Sequence, residues 1–239
     1  MALRVLTWNL FHGRALPPRD EDLLDAFAQA LSSWRWDVAL LQEVPPWWPE
    51  ELARACDARS RLALTSRNAL LSLRRALARR RPELMRANGG GCNAILVRGL
   101  GGIGAHAQRD LCMRPERRVV HAVQTGDGPW FANFHATVHD DARARTDIAQ
   151  ARAYAMSWAG DALLVLGGDF NVRDPRVPGF VRAAGHDVDF VFVRGLALTH
   201  DAPFEVLDRG PLSDHAPVRA TLAGAPSGDA RGGSTGQRR

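Results

Sequence analysis

Eight short runs of this chain consist almost wholly of β-branched, aliphatic and aromatic residues, and most are apolar on both of the faces that alternate side chains present. They are LRVLTW (3–8), DVALLQ (37–42), NAILV (93–97), RVVHAV (118–123), WFANFH (130–135), ALLVLGG (162–168), VDFVFV (188–193) and APVRATL (216–222). Strands of this kind need a cover on each face, so they belong inside a layered structure. Amphipathic helices to supply the cover lie between them. Residues 20–34 carry an acidic first turn followed by Leu23, Phe27, Leu31 and Trp34 on one helical face, with Asp20 as the expected cap. Residues 140–158 align Ala144, Ile148, Ala151, Ala155 and Trp158, and the small residues among them let a helix lie close to a sheet. The fold class is α/β.

With 239 residues the chain suits one large domain, because a second core would leave each half short of buried apolar area. We place that domain at residues 1–223 and a disordered tail at 224–239, where Gly, Ser and Arg cannot bury enough surface to fold. No apolar run is long enough to span a bilayer, and Met1 leads straight into LRVLTW without a secretory leader. The expectation is a cytoplasmic protein without integral membrane contact. Cys56, Cys92 and Cys112 are odd in number and scattered, so they form neither a disulfide framework nor a paired metal ribbon.

The net charge of +5 says less than its sign suggests, since every basic residue is arginine. It falls to +3 once the tail's three arginines and one aspartate are set aside. A third helix is expected at 67–81, RNALLSLRRALARRR, stopped by Pro82. Its arginines do not gather into a clean stripe, so a solvated surface helix is the preferred reading over a phosphate-binding patch.

Chemistry gathers where strands end. Asn9 follows LRVLTW, Glu43 follows DVALLQ, His135 follows WFANF and Asp169 follows LLVLGG. Each alone has a plain explanation as a turn or cap residue, but strand ends on one sheet edge are neighbours in space. Asp189 lies inside an otherwise apolar run, and a carboxylate there is costly to bury without a partner. His215, in PLSDHAPV, is the natural one, because an aspartate on one ring nitrogen fixes the tautomer and raises the basicity of the other. Oxygen donors on Glu43, Asp214 and the Asn9 amide, with no cysteine nearby, suit a hard divalent ion such as Mg²⁺. Together these point to hydrolysis of a phosphate ester.

Other motifs fail. HATVH (135–139) lacks the glutamate of a zinc-protease helix, no GxGxxG or phosphate-loop lysine exists, and no GxSxG elbow is present.

TWN (7–9), LLQE (40–43), GCNAILVR (91–98), ERRVVHA (116–122), NFH (133–135), GDFN (168–171), VDFVFV (188–193) and SDHAPV (213–218) occur in the order seen in the endonuclease/exonuclease/phosphatase superfamily, which the chain resembles from Leu3 to Leu222. The resemblance implies a deoxyribonuclease I-like, four-layer α/β/β/α sandwich of two mainly antiparallel sheets with helices outside. It implies Glu43 as the principal Mg²⁺ ligand, with Mn²⁺ as a substitute and with Asn9 and Asp214 in or next to the metal shell. Asp169 would position or activate water, Asn171 would contact the scissile phosphate, and His215, oriented by Asp189, would act as base or phosphate contact. His135 would stabilise the transition state or leaving group.

Substrate contacts are expected from Asn93, Arg117 and Arg118, and of the two arginines one is core or phosphate-facing. Phe134 and Ala136 replace the usual threonine and leucine around His135. Trp47 and Trp48 after Glu43 are read as packing residues rather than a stacking platform. The expected activity is a phosphodiesterase acting on nucleic acid, with a phosphomonoesterase or phospholipase of inositol-phosphate or sphingomyelin type as the alternative and a non-catalytic binding module as a third reading. No obligate protein partner is expected.

Overall fold

The computed structural model describes residues 2–65, 68, 91–114, 116–195 and 204–222. The expected arginine-rich helix at 67–81 and the tail at 224–239 lie outside the described residues. Two six-stranded sheets form the centre. In the first, the order is β11 (Phe204–Val206), β12 (Val218–Leu222), β1 (Leu3–Asn9), β2 (Val38–Val44), β4 (Cys92–Val97), β3 (Arg59–Leu64). In the second it is β5 (Ile103–Cys112), β6 (Arg118–Thr125), β7 (Trp130–His135), β8 (Leu164–Asp169), β10 (Asp189–Arg194), β9 (Val181–His186). Each sheet holds one parallel pair, β1 with β2 and β7 with β8, and is otherwise antiparallel.

Three apolar layers explain the two-faced strands. Between the sheets, Val5, Leu40, Ile95, Val123, Phe131, Val165, Val191 and Val218 interlock. Helices α1 (Leu24–Ser33) and α2 (Pro49–Ala55) cover the outer face of the first sheet, where Trp8 packs on Phe27 at 5.1 Å and on Trp34 at 5.2 Å. Helix α3 (Asp141–Ala159) covers the second with Ala144, Ile148, Ala151 and Ala155 buried. Alanine at these positions brings the helix axis close to Phe134 and Phe170, whose rings meet edge-on at 4.7 Å. This is the expected α/β/β/α sandwich.

Two details differ from expectation. Asp20 does not cap α1, which starts at Leu24 after Leu23; the Leu24 N–H donates to Asp22 Oδ1 instead, at 3.1 Å. The side chain two residues before the first helical N–H reaches it, whereas Asp20 is four before it. For α3, the Asp140 carboxylate accepts from the Arg143 N–H and is a true cap. Trp48 is buried against Phe27 at 5.4 Å, and Trp47 packs half-buried on the same core, as the packing reading requires. Among the described residues no helix is long and apolar enough to cross a membrane.

Candidate active site

Strand direction collects the polar residues. Because β1 and β2 run parallel with Asn9 opposite Gln42, their carboxyl ends coincide and Glu43 is the next residue. Pairing of β2 with β4 shifts register between Leu41 and Val44, and Glu43 takes a left-handed φ of 50° within that irregularity. In the second sheet His135 pairs with Asp169 across the parallel β7–β8 ladder, and Asp189 pairs with Asp169 across the antiparallel β8–β10 ladder. Loop 211–217 enters β12 opposite Thr7, which brings Ser213 and His215 beside Asn9. The Ser213 hydroxyl donates to the Asn9 carbonyl at 2.7 Å and accepts from the His215 N–H at 3.0 Å. The Trp8 indole N–H donates to the His215 carbonyl at 2.9 Å.

Beneath the rim a buried amide pair joins the sheets. Gln42 Nε2 donates to Asn133 Oδ1 at 2.7 Å, while Asn133 Nδ2 donates to the Leu41 and Ala94 carbonyls, each at 2.9 Å. Gln42 adjoins Glu43 and Asn133 is two residues before His135. The link therefore sets the distance between the two halves of the site.

Asp169 is the hub. Its Oδ2 accepts from Asn9 Nδ2 at 3.0 Å and lies 3.4 Å from His135 Nε2 and 3.9 Å from His215 Nε2. Its Oδ1 accepts from the Asn171 N–H at 3.0 Å. His215 Nδ1 lies 2.6 Å from Asp189 Oδ2, the pairing expected from the sequence. His215 Nε2 is also 3.8 Å from Asp214 Oδ1. Glu43 faces an imidazole with each oxygen: Oε2 is 3.2 Å from His12 Nε2 and Oε1 is 3.8 Å from His135 Nδ1.

Burial and charge set the protonation states. Burial, reinforced by the neighbouring Asp189 charge, raises Asp169 to about 7 against the opposing pull of His215 and the Asn9 and Asn171 hydrogen bonds. Burial works to lower His215, but the Asp189 hydrogen bond and the charges of Asp189, Asp169 and Asp214 overcome it and raise the imidazole to about 10. His135 goes the other way, held well below its usual range by burial and by the charges of Arg118, His215 and His12. At neutral pH His215 is an imidazolium and His135 a neutral imidazole, so the His135 contacts with carboxylates are polar contacts and not ion pairs.

The donor set fits a divalent cation. Asp169, Asp189 and His215 present ligand atoms within 4.8 Å of one another, but His215 Nδ1 and Asp189 Oδ2 are already paired with each other, so this group supplies negative charge beside an ion and not its full ligand set. Asp189 Oδ1 is buried with no hydrogen-bond partner, and Asp169 has its proton affinity raised by burial first and by the neighbouring Asp189 charge second. Added positive charge relieves both. Glu43 and Asp214 are the more open carboxylates at the same rim, with side-chain exposures of 23% and 37%.

Other expected site residues fall as follows. Asn9 is 2% exposed; besides Asp169 it serves its own turn, with Oδ1 accepting the Phe11 N–H. Asn171 borders the hub and donates its amide to the Ala136 carbonyl at 3.0 Å. Asn93 is buried and ties β4 to the Val119 carbonyl of the opposite sheet at 3.0 Å, a structural bond between layers. The structure also separates the two arginines. Arg117 reaches outward to Asp110 at 2.8 Å, whereas Arg118 is buried, pairs with Glu116 at 3.1 Å, and its charge is felt by His135. His12 escaped the sequence reading; its only signal was its place in WNLFHG, three residues beyond the strand-end Asn9.

Residues 6–215 match the family described as Endonuclease/Exonuclease/phosphatase. No curated protein matches the chain by sequence. Among solved structures, TDP2 from C. elegans superposes with a TM-score of 0.67 at 16% identity, covering 93% of this chain and 75% of that one. An endonuclease/exonuclease/phosphatase from Bacteroides vulgatus gives 0.67 at 16% identity, covering 93% and 99%. The protein of the same description from Beutenbergia cavernae gives 0.64 at 18%, covering 92% and 71%. Identities this low establish likeness of fold.

Proposed function

Because the chain belongs to the endonuclease/exonuclease/phosphatase family, metal-dependent hydrolases of phosphate esters, we propose that it is a Mg²⁺-dependent phosphodiesterase acting on nucleic acid, with Mn²⁺ able to replace Mg²⁺. The observation that carries the reading is the Asp189–His215 pair at 2.6 Å, set beside a buried carboxylate, Asp169, whose affinity for a proton lies near neutrality. A base with that affinity accepts a proton from water without holding it too tightly to release. Asp169 takes the proton of the attacking water as the new phosphorus–oxygen bond forms, while the bond to the leaving oxygen breaks. His215, charged and aligned by Asp189, hydrogen-bonds a phosphate oxygen through Nε2, and neutral His135 hydrogen-bonds the phosphate or the leaving oxygen, which takes its proton from water.

Glu43, with Asn9 and Asp214, would hold the cation, which would supply neutralisation of phosphate charge and polarisation of the phosphoryl oxygens. The preference for nucleic acid over a monoester or lipid rests on a modest net charge, +5 and +3 without the tail, carried by arginines whose planar guanidinium meets phosphate bidentately.

The test is a substrate panel of supercoiled plasmid, single-stranded DNA, RNA, inositol phosphates and sphingomyelin, each run with Mg²⁺ and with excess chelator. Cleavage of a nucleic acid that chelator abolishes is expected. Release of inorganic phosphate from monoesters with plasmid untouched would overturn the diesterase assignment, and full activity in chelator would overturn the metal. Asp169→Asn should retain the fold and lose about a hundredfold or more in turnover. Undiminished turnover would remove Asp169 from the chemistry.

A further inference from the structure

We propose that His12 is a nitrogen ligand to the cation held by Glu43, making this a mixed nitrogen–oxygen centre that serves with Mg²⁺ but binds Mn²⁺ more tightly. The inference rests on the metal reading above and refines it. His12 Nε2 stands 3.2 Å from Glu43 Oε2. Neighbouring ligands on an octahedral ion with bonds of about 2.1 Å are separated by about 3 Å, so the two atoms already stand at nearly the spacing of adjacent ligands.

The backbone aims both side chains at this place. His12 has φ 54° and Glu43 φ 50°, left-handed values that cost a non-glycine residue on the order of 1 kcal/mol or more each. The His12 turn is held from both sides. Gly13 N–H donates to the Leu10 carbonyl at 2.8 Å, and a Cβ on Gly13, which has φ +75°, would collide with the buried Trp48 ring. The Arg14 guanidinium sits 5.2 Å from the Phe11 ring centroid.

Among the imidazoles at the rim, His215 is committed to Asp189 and His135 is almost sealed, its side chain 5% exposed. The His12 side chain is 31% exposed and that of Glu43 23%, so both groups are open to solvent. Imidazole is a borderline ligand. It binds first-row transition ions more strongly than Mg²⁺, which prefers carboxylate and water oxygens.

The competing explanation is a plain hydrogen bond between His12 and Glu43 with no nitrogen on the metal. Pulsed electron paramagnetic resonance on the full-length protein loaded with Mn²⁺ separates the two, because a coordinated imidazole gives a directly bonded ¹⁴N coupling. The expected result is that coupling in the wild type, its loss in His12→Gln, and its retention in His135→Gln and His215→Gln. Calorimetric titration should show the Mn²⁺ to Mg²⁺ affinity ratio falling about tenfold in His12→Gln.

Bound Mn²⁺ without ¹⁴N coupling, or coupling that survives His12→Gln, overturns the inference and leaves the metal-dependent phosphodiesterase intact. Failure of the wild type to bind Mn²⁺ or Mg²⁺ overturns both. Should His12→Gln not fold, loss of the coupling in either His135→Gln or His215→Gln still refutes the assignment, and its persistence in both upholds it.

Discussion

Replacing His121 by leucine should flatten the acid limb of the stability curve. His121 sits on β6 with no exposed surface; its Nδ1 lies 3.3 Å from His106 Nε2 on β5, and Nε2 is buried without a hydrogen-bond partner. Burial, then the neighbouring His106 charge, holds its pKa well below the ordinary 6.5. His106 is itself lowered by burial and by Arg61 on β3, so the charged groups facing the pair disfavour a second proton.

The unfolded chain therefore protonates this residue near pH 6.5 while the folded chain does not. Below that pH the unfolded state binds the extra proton, and stability falls as pH falls, with a slope approaching about 1.4 kcal/mol per unit. Between pH 7 and pH 5 the loss from this one residue has a ceiling of about 2 kcal/mol, set by the unfolded-state titration alone. Leucine removes it and also removes an unsatisfied buried nitrogen, a defect that costs about 1–3 kcal/mol. Urea unfolding of wild type and variant at pH 7, 6 and 5 reads the effect, together with any change at His106, which loses its ring partner. The variant should be at least as stable at pH 7 and gain steadily on the wild type down to pH 5, by up to about 2 kcal/mol. Parallel pH profiles would refute the reasoning.

Asp189→Asn replaces the charged acceptor at His215 Nδ1 with a neutral amide, which removes both the alignment of the imidazolium and the charge that keeps it protonated. We expect kcat/KM to drop by about 10²–10⁴ with little change in KM, measured on whichever phosphodiester the panel selects. An unchanged kcat would remove Asp189 from its orienting role. Gly13→Ala combines an unfavourable φ with a collision against Trp48 and should destabilise the protein by about 1–3 kcal/mol in thermal or urea melts. A melt identical to wild type would show that this turn is not clamped as described.

All eight strands expected from the sequence form, and the four that were missed share one property. β3, β5, β9 and β11 are the two edges of each sheet. An edge strand has less of its surface covered, so its alternation carries polar side chains: IGAHAQRDLC in β5 is half-buried or exposed at every position but Leu111, and FEV in β11 is exposed throughout. Central strands announce themselves because both faces must be apolar, whereas edges resemble loops. Helix α2 was missed for its brevity.

In the site, the Asp189–His215 pair was legible because a carboxylate inside VDFVFV demanded a partner. His12 was not, since a single histidine in a turn carries no periodic signal until the fold places it against Glu43. Which arginine faces inward was equally closed to inspection. Adjacent residues in a strand point to opposite faces, and only the register of β6 assigns Arg118 its buried place.

The Gln42–Asn133 latch makes catalytic competence a readout of how the two halves of the sandwich seat upon each other. Glu43 and Asn9 belong to one sheet, His135, Asp169 and Asp189 to the other, so a slippage of an ångström or two, far short of melting, is enough to take the cluster apart. Turnover should then vanish in mild denaturant while the circular dichroism of both sheets is still intact, and loosening the latch should widen that gap.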